Sequence, residues 1–449
     1  MTRSRAGRAR LWAVGILAPT LLAMAACGGG STGSTESSAA PCAPAASGEK
    51  VTLKFSSWVP GIDKAVDAWN KENPDIQVEL KEVASGPSGT YQTYANQIKA
   101  GNPDDLGQVE FDSLPAFRVQ DGLTNIGACP GVAEAQPKFL DWTWQQTSFG
   151  EAGASYAIPQ DIGPMALYYR KDLFQKAGIE PPATWDDYYS AAQKIKEEGG
   201  HVTNLDPSAG SFLAAMTWQP GGSWFALDGA QWKVDLTTGT AAQVNDYWQK
   251  LLSDKLLTTY PGFSDQYFKA IESDDIWTVV GAAWTTKLIE TGAPSTEGKW
   301  AIAQMPQWDP SATAASNWGG STTVVFKGSK HPAEAAKFAI WLNSSPEALS
   351  LNNENGGLYP ATVDASTQVP ALTKPYPFFG GDVWSQFATA AKNVPSGWIW
   401  GPTMVQTYAD IGTGVGRATQ GQGTIPEAMA EAQKKTVEAM KSQGMEAQG

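Results

Sequence analysis

Residues Tyr156 to Ile195 read YAIPQDIGPMALYYRKDLFQKAGIEPPATWDDYYSAAQKI, and the order of elements in this stretch decides the architecture of the chain. Tyr156-Ala157-Ile158-Pro159 is extended, and Asp161-Ile162-Gly163-Pro164 is a turn sequence that interrupts it. Met165 to Tyr169 is an apolar strand, followed by a short helix from Lys171 that stops at Gly178. Thr184, with Asp187 three residues on, has the form of a capping box, and Trp185, Tyr188, Tyr189, Ala192 and Ile195 recur at helical spacing. That aromatic stripe is packing. The stretch thus runs, in order, through an extended segment, a turn, an apolar strand and two helices.

Working outward, 449 residues exceed the size at which one core keeps growing, so two lobes of roughly 150 to 200 residues are expected. Hydrophobic residues at 42% and charged residues at 17% describe a globular chain rather than a disordered one. The net charge is −13, and Arg3, Arg5, Arg8 and Arg10 all lie in the first ten residues, so the remainder is more acidic still. Nucleic acid is excluded as a partner, because phosphate binding needs clustered Lys and Arg. The 19 Trp, 13 Tyr and 15 Phe are the compositional oddity: most are expected to pack in the core, and several to form flat apolar platforms in a ligand cleft. His201 and His331 are the only histidines, which leaves His-centred metal or triad chemistry almost no material. No catalytic residue, metal ligand or cofactor is assigned, and the chain is expected not to be an enzyme.

Upstream, an Arg-rich start, an apolar run from Leu11 to Ala23 broken by Pro19, and small residues before Cys27 make residues 1–26 a secretory signal, too short for a membrane span. Met24-Ala25-Ala26-Cys27 resembles a bacterial lipobox, with Met in place of the usual Leu. The resemblance implies that Cys27 is diacylated and anchors the chain on the extracellular face of the cell membrane. Ordinary secretion, with Cys27 free or paired, is the alternative. Residues 27–48 are a Gly, Ser, Thr, Ala and Pro tether with too little apolar surface to fold alone. With Cys27 lipidated, Cys42 and Cys129 remain in an oxidising compartment, where a Cys42–Cys129 disulfide is the natural pairing and two free thiols the alternative.

Val51 to Phe55 and Ile76 to Leu80 alternate at period two, and Ile62, Val66 and Trp69 between them share a helical face, so this is a βαβ unit. In such sheets ligands bind beyond the carboxyl ends of the strands, which puts Trp58 at a cleft edge. A helix from Tyr91 to Ala100 leads to a strand from Leu106 to Phe111. Helices are expected over Tyr247–Leu257, Asp265–Ile276 and Ile425–Gln443. Thr278 to Trp284 reads as a strand ending in Trp, and Asn317-Trp318-Gly319-Gly320-Ser321 leads into a strand and then a helix started by Pro332, with Ala335, Phe338, Ala339 and Leu342 on one face.

The opening βαβ unit, the 156–195 stretch and the 317–343 run together resemble the family 1 extracellular solute-binding proteins, the maltose-binding-protein-like capture components of sugar ABC importers. The resemblance implies a periplasmic-binding-protein-like α/β fold of two lobes joined by three crossing segments, with a ligand cleft between them. Lobe 1 would take residues 49–159 and 303–344, and lobe 2 residues 160–302 and 345–449. It further implies that Asp112, at a strand end, accepts hydrogen bonds from sugar hydroxyls, since one carboxylate accepts two at once; a helix cap would account for Asp112 equally. Asp161 would face the ligand from the first crossing, with Gln160 its neighbouring alternative. Trp284 would stack on a pyranose ring, whose apolar C–H face an indole removes from water, unless it is a core residue. Trp318 and Gly320 in the Gly-Gly turn and Tyr359 in the Gly356–Ala361 loop are further contacts. Trp398 and Trp400 add aromatic surfaces or pack between lobes.

The function so implied is an extracellular, monomeric sugar-binding lipoprotein that captures a neutral oligosaccharide and delivers it to the permease subunits of an ABC importer. An acidic sugar would want Arg, and beyond the signal segment only Arg118, Arg170 and Arg417 remain. The competing readings are a glycosidase, which needs two carboxyl groups roughly 5 to 9.5 Å apart, for which Asp112 and Asp161 are material, and a polysaccharide adhesin.

Overall fold

The computed structural model describes residues 42–449; the signal segment, Cys27 and most of the tether lie outside the described residues. Val51–Ser57 alternates buried and exposed positions before becoming buried on both faces, and it pairs in parallel with Ile76–Glu82 and with Leu106–Glu110. Ser321–Val325 and Ala157–Pro159 complete this five-stranded sheet, with Ser321–Val325 antiparallel to both its neighbours. Helix Asp63–Glu72 returns over the sheet and buries Ala65, Val66 and Trp69. Phe338, from helix Pro332–Ser344, meets Phe55 and Trp69 edge-on at 5.5 and 5.3 Å. Cys42 and Cys129 are joined, with Cα atoms 4.9 Å apart, and the Ala45 amide donates to Glu334 Oε1 at 2.6 Å, so the start of the described chain is fastened to this body.

The second sheet is centred on Met165–Arg170, flanked in antiparallel register by Thr278–Ala282 and Trp300–Ala303. Arg170 ends the central strand with a buried guanidinium that donates bidentately to Asp172 at 2.9 and 2.8 Å and pairs with Asp274 at 2.7 Å. Burying that charge is tolerable because both carboxylates answer it, so the Tyr-Tyr-Arg-Lys-Asp run is framework. Helix Lys171–Ala177 stops at Gly178, whose φ of +63° a side chain would resist. Helix Trp185–Glu197 has the capping box foreseen at Thr184 and Asp187. Two expected helices shift: the first spans Gly239–Ser253, leaving Leu257 in a short strand, and the second ends at Glu272.

Three segments pass between the bodies and lie side by side. The Gln160 amide donates to Ser321 O at 2.9 Å, Trp318 N to Gly163 O at 2.8 Å, Ile162 N to Tyr359 O at 2.9 Å and Ala361 N to Gln160 O at 3.2 Å. These contacts move two expected boundaries. Residues 303–318 stay with the second body: Trp300–Ala303 pairs with Met165–Arg170, and Gln219 Nε2 donates to Pro306 O at 2.8 Å and to Ala314 O at 3.1 Å. The second crossing therefore falls at Gly319-Gly320-Ser321, not at Ala303. Helix Pro346–Gly356 packs on helices Asp63–Glu72 and Pro332–Ser344 of the first body, so the third crossing falls after it, at Tyr359 to Ala361, not at Ser345. Apolar periodicity marks a helix but not which body it joins.

Candidate ligand cleft

Beside the crossings is a cavity of about 380 Å³ whose wall is built from both bodies. On the first body, the strand ends contribute Trp58, Gln108, Glu110 and Asp112. Gln108 fixes this edge: its Oε1 accepts from Ser57 Oγ at 2.8 Å and Trp58 N at 3.1 Å, and its Nε2 donates to Ser321 Oγ at 3.0 Å. Trp58 is half-buried and meets Tyr91 edge-on at 6.0 Å. The Tyr91 hydroxyl in turn donates to Glu110 Oε2 at 2.9 Å while accepting from the Glu110 amide at 2.9 Å.

The second body supplies an aromatic pair. Trp284 and Trp318 have ring centroids 4.9 Å apart, and both line the cavity. Their polar edges are occupied, which leaves ring surface for a ligand: Trp284 Nε1 donates to Trp318 O at 3.0 Å, and Trp318 Nε1 donates to Ser211 Oγ at 3.0 Å. Phe263 leans on both rings at 5.6 and 6.3 Å from a left-handed backbone, φ +56°. A bulky residue there carries strain of the kind that collects at binding edges. Tyr408 closes the wall from helix Met404–Thr419 beside Asp112, whose charge acts on its buried hydroxyl.

The third element is the crossing itself. Asp161 is 9% exposed, and its Oδ1 accepts from the Ser321 amide at 3.0 Å. Gly163 and Gly320 are required here. A Cβ on Gly163 would lie 2.0 Å from Trp318 O, and one on Gly320, already at φ +101°, would lie 2.6 Å from Asp161 O. Asn317 completes the turn, its Oδ1 accepting from Gly163 N at 2.8 Å and its Nδ2 donating to Gly319 O at 2.7 Å.

Three carboxylates thus line one cavity, and no Lys, Arg or His is among its described lining residues. Burial, reinforced by the charge on Asp112, pushes Glu110 up to about 8, against the opposing hydrogen bond from Tyr91. Burial also raises Asp112, opposed by hydrogen bonds from Ser113 and Tyr408, and raises Asp161 to about 6, opposed by Ser321. Burial thus favours the protonated form of both acids relative to an exposed carboxylate, Glu110 more than Asp161, and a protonated carboxyl can donate as well as accept. Among the described residues no cluster of His, Cys, Asp and Glu is arranged to hold a metal ion.

Of the residues named from sequence, Trp58, Asp112, Asp161, Trp284, Trp318, Gly320 and Trp400 come together on this cavity. Three do not. Gln160 is fully buried and acts through its backbone in the crossing, the side chain alternating to the opposite face from Asp161. Tyr359 is buried, its carbonyl holding Ile162 and its ring 6.3 Å from Trp384, and Leu358 reaches the cavity in its place. Trp398 is stacked on Trp218 at 5.3 Å and lines a neighbouring chamber. Sequence reasoning passed over Gln108, Glu110, Ser211, Asn317 and Tyr408. Glu110 had a signal, as the second carboxylate at the same strand end; Ser211 and Tyr408 lie on helices whose apolar pattern says only that they pack.

A two-lobed α/β fold with a cavity walled by both lobes and the crossings between them defines a binding protein of the periplasmic type. The chain belongs to the bacterial extracellular solute-binding proteins, whose family model matches residues 55–348. Among curated relatives, the lactose-binding protein of Rhizobium radiobacter is 26% identical over 375 residues, 79% of this chain and 85% of that one. The arabinooligosaccharide-binding protein of Bacillus subtilis (strain 168) is 25% identical over 289 residues, 63% of this chain and 66% of its own length. Of solved structures, the galacto-N-biose-/lacto-N-biose I-binding protein of the ABC transporter from Bifidobacterium longum, in complex with lacto-N-biose, is similar with a TM-score of 0.78 at 27% identity, covering 89% of this chain and 100% of that one. The ABC-transporter-associated binding protein from B. animalis subsp. lactis Bl-04, in complex with β-1,6-galactobiose, follows with a TM-score of 0.73 at 27% identity and the same coverage.

Proposed function

We propose that this chain captures a neutral oligosaccharide in the cleft and delivers it to the permease of an ABC importer. The observation that carries the reading is the opposition, across one cavity, of the Trp284–Trp318 pair to Glu110, Asp112 and Asp161. Indole faces take the C–H face of a sugar ring, and carboxyl groups take its hydroxyls. A cavity with three acids and no basic lining residue disfavours uronates and sugar phosphates. The relatives' named ligands, lactose, arabinooligosaccharide and lacto-N-biose, point the same way. The chain acts as a monomer that binds without turnover, held to the extracellular face of the membrane by a lipid on Cys27.

The crossings at residues 160–164, 317–321 and 359–361 serve as the hinge, and closure brings the two walls together. The test is isothermal titration against a panel of di- to tetrasaccharides, with Trp284→Ala beside the wild type. Removing that ring is expected to cost about 2 kcal/mol, roughly thirtyfold in Kd. Exclusive binding of amino acids or polyamines would end the sugar reading. Release of reducing ends during incubation would replace it with a glycosidase.

A further inference from the structure

A second chamber of about 510 Å³ opens beside the cleft, and Trp400 forms part of the wall of both. The first body gives it Arg118, Val119 and Phe149; the second gives it Leu227, Trp232 and Trp398. We propose that this chamber receives further sugar residues of the same ligand, so that the chain captures an oligosaccharide long enough to pass Trp400. The inference rests on the saccharide reading above and names the length class of its ligand.

Four observations carry it. Both cavities span the divide between the same two bodies and meet at one indole, so a single extended ligand lies along that divide. The main cavity sits near the lower end of the roughly 300–1,000 Å³ typical of small-ligand sites, and the chamber more than doubles the space. The chamber's chemistry suits ring faces rather than anions. Arg118 is held over Phe149 and Tyr156 at 4.5 and 4.7 Å and paired with Glu151, so its charge is already answered. Gln146 Nε2 is committed to Trp398 O at 2.7 Å. Finally, Trp232, Trp398 and Trp400 all line the chamber, and indole rings are surfaces of the kind that take the C–H face of a sugar. Leu227, on hairpin Phe225–Val234, stands 49% exposed at the rim, an apolar surface for a ligand to cover.

The experiment is titration calorimetry on the full chain with arabino-oligosaccharides and β-1,6-galacto-oligosaccharides of two to five residues. In the series that binds, affinity is expected to rise about tenfold or more from the disaccharide to the tetrasaccharide. Leu227→Asp and Trp232→Ala should each remove most of that gain while leaving disaccharide affinity unchanged. Leu227 is exposed enough that its variant folds even if Trp232→Ala does not. Equal affinity at every length, or variants that weaken disaccharide and tetrasaccharide alike, would overturn the chamber and leave sugar capture standing. Failure of every saccharide to bind wild-type protein would instead remove the saccharide reading, and this inference with it.

Discussion

Asp161 is one residue with two attachments, the hinge through the Ser321 amide and the cavity through its place in the wall. It shares that cavity with Glu110, and their pKa values have a consequence for the unliganded protein. Folding raises Glu110 from an ordinary 4.5 to about 8 and Asp161 from 3.8 to about 6. Between about pH 4 and 8 the folded chain thus holds more protons than the unfolded chain, and its stability falls as pH rises through that window. Melting temperature of the unliganded protein should decline across it, and Glu110→Gln should flatten the decline; a wild-type curve that rises steadily from pH 5 to 8 would contradict the assignment. The acids that sequence singled out, Asp112 and Asp161, are on the wall, and Glu110 joins them with its carboxyl pushed up by burial. A strand-end pair of carboxylates is visible in a sequence, whereas the Tyr91 hydroxyl that holds one of them comes from a separate helix and is not.

Among elements, the hinge turn is the most constrained. Gly163→Ala places a methyl against the Trp318 carbonyl, so the crossing must shift; we expect a loss of about 1–3 kcal/mol in denaturant unfolding together with weakened saccharide binding. Gly178→Ala, at a helix end with open space around it, is the contrast: a left-handed cap strained by about 1 kcal/mol, with affinity unchanged. Equal effects on binding would show that the turn does not position Trp318. These elements were legible for different reasons. The capping box at Thr184 and the strand from Met165 follow from local spacing, which needs no partner. The body to which residues 303–318 and helix Pro346–Gly356 belong is decided by contacts such as Gln219 with Pro306, across 87 positions of sequence, and no local pattern encodes them.

In the whole molecule, the two-body plan was readable from chain length and from the family resemblance, whereas the chamber beside Trp400 exists only where distant segments meet. The Cys42–Cys129 bond closes a loop of 87 residues within the first body. Replacing both cysteines with serine should cost about 2–5 kcal/mol, seen as a lower melting temperature that reductant no longer changes; an unchanged wild-type melt in reductant would show that the bond does not support the fold. The same bond, with the Ala45 amide on Glu334, pins the leading end of the described chain to the first body. An end so held cannot fray while the disulfide is intact, so reduction should open the amides around Cys42 and Ala45 to hydrogen exchange before those of the sheet.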